Sequence, residues 1–405
     1  MKRRLCWVAF VVSSTFSYAS PVVFPEDGSR SFTTWVTSET SLSVFEDPKA
    51  FETFLLEQGV RIERLPIDYD WIQDLSFSFN DGSIALLPVL GGLVEGASPS
   101  QSDRYKGLWG FRDPAFLQDM TLGVVDEEQG WLRIHPKHLA DRSWVARRLS
   151  SSVIEGGDLI SGTDADGAAY ALVDRSTLDR TGAVLNSQDE TETRLALAKD
   201  LGVALNRLLV LDMGGHLDTQ IKALPGGVVL IQDPTRIVET MELLSARSES
   251  GSLEQRTYER VARIYRDGHQ RYDHAGRPIG TPSRPWGSSS EAQLAAAIAL
   301  LQSDPALRVV PVMGQFGDLS DERRSWIWDW RNNFFNAMTG LTPDGRVFWV
   351  GNRTRMASKP AGRLPQLEAY WSEVLRQHGV DPDLIRFWGR FDGAGGVNCT
   401  GFPKP

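Results

Sequence analysis

Cysteine is almost absent from this 405-residue chain: Cys6 and Cys399 are its only two. One pair allows at most one internal disulfide, so a disulfide-stapled fold is excluded, and so is a cysteine-rich zinc site. Long apolar runs are also scarce. The only one of note is Leu5 to about Phe16, behind Lys2, Arg3 and Arg4 and ahead of the small-x-small triplet Ser17-Tyr18-Ala19. That pattern is too short for a membrane span and reads as a secretory signal peptide cut after Ala19. The expected organisation is a signal peptide over 1–19 and one catalytic domain over 20–405. The mature protein is then secreted or periplasmic, with no membrane partner. Basic charge is in deficit too. The net charge of −9 becomes −12 once the leader's three basic residues are gone. An acidic surface disfavours nucleic acid and favours cationic substrates.

Cleavage would remove Cys6 and leave one thiol in the stretch GGVNCTG, residues 395–401. Read alone, Cys399 is a small buried apolar residue, half of an intermolecular disulfide, a metal ligand or a nucleophile.

What is present is a recurring order of helix, strand and polar loop. Residues 47–60 carry apolar side chains at helical spacing after an Asp-Pro start signal. Residues 61–67 alternate like a strand, and 75–89 read as strand, Asn-Asp-Gly turn, strand. Helices are expected over 138–151, 191–203, about 253–267, 291–304 and 364–380. Strands are expected at 207–212, after 307 and after 383, with a hairpin over 152–173. Loops or insertions are expected at about 93–125 and 268–291, where Gly, Pro and Ser gather. About five βα-containing units result, without a fixed period.

Four stretches combine reactive side chains with glycine or turn residues: DWIQD (70–74), EGGD (155–158), GGHLD (214–218) and GGVNC (395–399). Each acid alone is an ordinary turn residue. If residues 214–218 are extended, His216 and Asp218 share one face. Together the stretches supply acids, a histidine and a cysteine at loop–strand junctions, where α/β folds build sites. A Cys–His pair suits nucleophilic catalysis. Several carboxylates beyond one histidine partner suit a substrate that is itself a planar cation.

WIQD, EGGDL, GHLDT and GGVNC, in this order, resemble the motifs of the guanidino-group-modifying (pentein) superfamily. That superfamily includes arginine, agmatine and protein-arginine deiminases, dimethylarginine hydrolases and amidinotransferases. The likeness runs over roughly 45–401. It implies an α/β fold, a five-bladed pseudo-symmetric α/β propeller. By motif, Cys399 would be the nucleophile and His216 the general acid–base. Asp74 and Asp218 would be the guanidinium-binding carboxylates, and Glu155 the histidine's partner. Trp71 and Asn398 would line the substrate. Asn398 departs from the pattern, because relatives often place a histidine before the cysteine. Asp113 and Asp119, in FRDPAFLQD, compete with Asp74 for the first acidic role.

The implied function is an exported deiminase converting arginine in peptides to citrulline. Alternatives are a deiminase or amidinotransferase of free arginine or agmatine, and a non-catalytic binding protein. The chemistry needs no metal or organic cofactor. Some relatives need calcium, and DADG (164–167) is too short to count as a calcium loop. Asn332, Asn333 and Asn336 are further candidates for the site. Asn352-Arg353-Thr354 and Asn398-Cys399-Thr400 match glycosylation sequons and are read as chance, since a glycan beside the nucleophile would block it.

Overall fold

The computed structural model describes residues 21–38, 41–65, 72–86, 144–147, 149, 152–214, 216–272, 277–283, 290–317, 332–355, 362–389 and 396–405. The expected signal peptide, Trp71, Asp113, Asp119 and the 93–125 insertion lie outside them.

The chain opens with β1 (Thr34–Ser38), then α1 (Pro48–Glu57) and β2 (Arg61–Leu65). Asp47 caps α1 through Ala50 N, with Pro48 in the first turn. Next come β3 (Ser76–Ser78), β4 (Ile84–Leu86) and β5 (Ala146–Arg147). Then follow β6 (Leu159–Thr163), β7 (Ala169–Asp174), α2 (Arg175–Leu185), α3 (Glu190–Leu201) and β8 (Leu208–Leu211). The fourth stretch holds β9 (Ile221–Leu224), β10 (Val228–Gln232), α4 (Pro234–Arg247), α5 (Leu253–Asp267), the hairpin β11 (His269–Tyr272) and β12 (Pro278–Ser283), α6 (Glu291–Gln302) and β13 (Arg308–Val312). The last holds β14 (Gln315–Phe316), β15 (Asn332–Asn333), β16 (Met338–Leu341), β17 (Val347–Asn352), α7 (Pro365–Gln377), β18 (Val380–Gly389) and β19 (Gly401–Lys404).

Among the described residues these strands form five three-stranded sheets and two two-stranded ones. Every three-stranded sheet has the same plan. A central strand pairs antiparallel with one neighbour and parallel with the other: β19-β1-β2, β3-β4-β5, β6-β7-β8, β9-β10-β13 and β16-β17-β18. The antiparallel step is short in four of them, β3-β4, β6-β7, β9-β10 and β16-β17. The parallel step needs a crossover, which α1, α2–α3, α4–α6 and α7 supply in four of the five. The last strand, β19, pairs with the first, so the two ends of the described chain share a sheet.

Helices cover the sheets and bury four apolar clusters. The largest holds Trp349 and Trp371, with Phe334 stacked on Trp371 at 4.9 Å.

Three expectations fail. The helix over 138–151 is replaced at 146–147 by β5, because Val145 accepts a bond from Ile84 N at the edge of β4. An open sheet edge outweighs local helical spacing. The 268–291 loop contains the hairpin β11–β12. Residues 217–219 form a 3-10 turn with His216 as its cap, not a strand, so alternation does not set the directions of His216 and Asp218. Helices α2 and α4, both capped by an aspartate, were not anticipated.

Candidate active site

The same position recurs in each three-stranded sheet: a tight turn that runs into its antiparallel edge strand. The turns are Ile72–Leu75 before β3, Gly156–Asp158 before β6, Leu217–Thr219 before β9, the bend after Asn333 before β16, and Asn398–Thr400 before β19. Turn 72–75 packs on turns 156–158 and 398–400, and turn 156–158 packs on 217–219. Residues far apart in sequence therefore meet in one place.

Cys399 is 2 % exposed. Its Sγ accepts a hydrogen bond from Asn336 Nδ2 at 2.9 Å and lies 3.4 Å from Asp218 Oδ2. The same Asn336 amide donates to Asp218 Oδ2 at 2.6 Å, and its Oδ1 accepts from Asn398 N at 2.9 Å. Asn336 thus locks thiol, carboxylate and cysteine turn together.

Asn352 braces that lock. Its Nδ2 donates to the carbonyls of Asn333 and Asn336, and its Oδ1 accepts from Val397 N. A Cβ on Gly396 would sit 2.5 Å from Asn352 Nδ2, which is why this cysteine loop needs glycine there. Asn352 and Asn398 are both buried, so neither sequon is open to a glycan in the folded chain.

Asp218 is fully buried and its Oδ1 has no hydrogen-bond partner among the described residues. Burial makes it a weaker acid and holds its pKa above the usual carboxylate range. His216, the bond to the thiol, the Asn398 amide and the Lys222 ammonium pull it back. A carboxylate oxygen left bare in a buried pit suits a donor supplied by a ligand. Lys222 is itself buried, donates to Ala337 O at 2.6 Å and is held below its usual value by that burial, against the pull of Glu26 and Asp218. Partly buried Glu26 is pushed up to about 7 by desolvation, against the Lys222 charge.

His216 Nε2 lies 3.0 Å from Glu155 Oε1. Its ring rests on Gly157, where a Cβ would come within 2.3 Å of Nδ1. Burial alone would raise Glu155, but the bond to His216 and the charges of His216 and Arg180 outweigh it and hold the carboxyl below its usual range. A Cβ on the neighbouring Gly156 would meet the carbonyl oxygen of Gln73 at 1.9 Å, so the turn bearing Asp74 lies directly against the EGGD turn.

The structure therefore brings Cys399, Asp218 and Asn398 together, and places the His216–Glu155 pair on adjoining turns. It places the backbone of Asp74 among them. Of the three asparagines left open, Asn336 touches the thiol. Asn333 holds Thr219 O and the backbone of Asn336, and Asn332 pairs with the backbone of Arg355. Sequence reasoning treated Asn352 only as part of a chance sequon and missed Arg180 altogether. No group of three metal-ligating side chains occurs among the described residues.

No family model and no curated protein matches the sequence. Among solved structures, the chain is similar to the agmatine deiminase of Enterococcus faecalis, at 14 % identity and a TM-score of 0.47 over 95 % of this chain and 96 % of that one. It is also similar to the agmatine deiminase of C. jejuni, at 10 % identity and a TM-score of 0.44 over 94 % of this chain and 95 % of that one.

Proposed function

We propose that this protein is a guanidino-group deiminase acting on a small guanidino compound, and that its five three-stranded sheets are the blades of a propeller around the site. One observation carries the reading. A buried thiol shares an amide with a buried carboxylate whose second oxygen has no hydrogen-bond partner among the described residues, and a histidine–glutamate pair stands on the adjoining turns.

The chemistry follows from charge. A guanidinium stays protonated and presents a fork of N–H donors. Asp218 Oδ1 accepts one of them, with Asp74 as a second carboxylate. The thiol beside Asp218 is poor in thiolate while that carboxylate is bare. A bound cation offsets the carboxylate, and the Asn336 amide donates to sulfur, so binding favours the attacking form. The thiolate adds to the guanidinium carbon. One C–N bond breaks, its electron pair stays on nitrogen, and protonated His216 gives the proton that makes ammonia. An S-alkylthiouronium remains on Cys399. Water then adds to the same carbon and gives a proton to His216. The C–S bond breaks with its electron pair on sulfur, and the proton still on the added oxygen leaves to solvent, where it converts the released ammonia to ammonium; the thiolate and a neutral ureido product result. Glu155 holds the ring through both transfers.

The peptide substrate expected from sequence rests on export, which concerns residues outside those described. The amidinotransferase alternative differs only in replacing water by an amine. A disulfide-linked binding protein fits less well, because the thiol is 2 % exposed. The test is ammonia release and ureido formation with agmatine, free arginine and an arginyl peptide side by side, with and without an acceptor amine, and Cys399→Ala as control. Turnover of a small guanidine that vanishes in the variant is expected. No ureido product from any of the three would refute the proposal.

A further inference from the structure

Arg180, on α2, is absent from every motif described above, yet its side chain is only 10 % exposed. Its NH2 donates to Asp158 Oδ2 at 2.5 Å, and its NH1 lies 3.5 Å from Glu155 Oε2. Glu155 spends its other oxygen on His216 Nε2 at 3.0 Å. A single guanidinium thus spans the first and last residues of the EGGD turn. Ser176, one turn earlier on α2, adds a bond to the same Asp158 oxygen at 3.2 Å. Asp174 anchors the start of that helix through Ser176 N and binds Met213 N, three residues before His216. Helix α2 is therefore tied to both turns that carry the acid–base pair.

We propose that Arg180 is a positioning residue: it holds Glu155 from behind, so that the carboxylate shares its charge between a fixed guanidinium and the His216 ring. This rests on reading His216 as the acid–base group. Two things follow. The Glu155 carboxylate cannot rotate away from Nε2. It also binds the imidazolium less tightly than a lone carboxylate would, which keeps the ring able to give its proton to departing ammonia and take one back from water.

Among the described residues, Glu155, Asp158 and Asp218 interact electrostatically with His216, and Arg180 stands against Glu155 and Asp158. Of these only Arg180 is cationic. Removing it leaves three carboxylates around the ring, so the imidazolium gains. An opposite or like charge at this range moves a titration by about one pH unit or more.

The experiment is a proton NMR titration of the His216 ring, assigned by its loss in His216→Asn, in the full chain without substrate. In Arg180→Gln the midpoint is expected to rise by about one pH unit. In Arg180→Lys, which keeps the charge but not the two-pronged grip, it should rise by less than half as much. In a Glu155→Gln background, Arg180→Gln should add only about a third of its original shift, the part Asp158 imposes directly. Should Arg180→Gln fail to fold, Arg180→Lys and its Glu155→Gln double variant carry the same comparison. An unmoved midpoint, or an equal shift with and without Glu155, would overturn the proposal. The titration needs no turnover, so it stands or falls separately from the deiminase reading. A helix anchor with no role at the site would lower the melting temperature and leave the ring's titration where it was.

Discussion

Replacing Gly157 with alanine would put a methyl carbon 2.3 Å from Nδ1, 2.7 Å from Cγ and 2.9 Å from Cε1 of His216. Gly157 has no positive φ, so its backbone accepts alanine and the whole conflict falls on the ring. Ordinary contact begins near 3.4 Å, so the ring must retreat by roughly 1 Å. The bond to Glu155 is 3.0 Å long and would open to about 4 Å, beyond hydrogen-bond range. A misplacement of that size costs on the order of 10²-fold in rate, and loss of acid–base assistance 10²–10⁴-fold. A fall in kcat of about 10²- to 10³-fold is expected. His216 is 33 % exposed and can swing toward solvent, so stability should fall by only about 1–2 kcal/mol, the worth of the lost bond. Gly156→Ala is the contrast. Its methyl would meet the Gln73 carbonyl at 1.9 Å, where backbone must move, and about 3 kcal/mol or more should be lost. Steady-state kinetics and urea melts of both variants give the answer. Gly157→Ala with more than half of wild-type kcat would show that the ring position is not what catalysis uses.

Two further outcomes are expected. Asn336→Ala removes the donor to Cys399 Sγ, the amide donor to Asp218 Oδ2 and the acceptor of Asn398 N–H. The pH midpoint of Cys399 alkylation by iodoacetamide should rise by about one unit, and urea stability should fall by about 2–4 kcal/mol; an unmoved midpoint would exclude this amide as the thiolate's donor. Glu26 binds its proton more tightly folded than unfolded, with a folded value of about 7 against an ordinary 4.5, so its contribution to stability is full below pH 4.5 and is lost as pH rises through 7. Glu26→Gln should therefore be more stable than wild type at pH 8, by about 2 kcal/mol after allowing for partial exposure, and no more stable at pH 4; equal stability at both pH values would remove Glu26 from the charge cluster beneath the site.

The candidate site residues were legible because each sits in a glycine-marked turn. Cys399, His216, Asp218 and Glu155 are of this kind, and the structure brings them into one region. Their supports were not. Arg180 lies on a helix 25 residues after Glu155, and only the packing of α2 against the EGGD turn gives it a role. Asn352 looked like part of a sequon, and its three bonds to other loops exist only after folding. Asn336 had a usable signal: it occupies, before β16, the place that Asp218 and Cys399 occupy before β9 and β19. The pairing of His216 with Asp218 in sequence suggested a shared strand face. A 3-10 turn instead sends one to Glu155 and the other to Cys399. Helical spacing over 138–151 misled for a related reason, since a sheet edge needing partners is invisible in local sequence.

The central claim is that Cys399 is a thiol aimed at a planar cation held by Asp218. The most direct measurement compares alkylation rates by 2-chloroacetamidine, a cation shaped like the guanidinium, and by neutral 2-chloroacetamide, with peptide mapping to Cys399. A marked preference for the cationic reagent is expected in the wild type, by about 10²-fold relative to a free thiol, and its collapse toward unity in Asp218→Asn. Equal rates for the two reagents in the folded wild-type protein, or a preference that survives Asp218→Asn unchanged, would contradict the account.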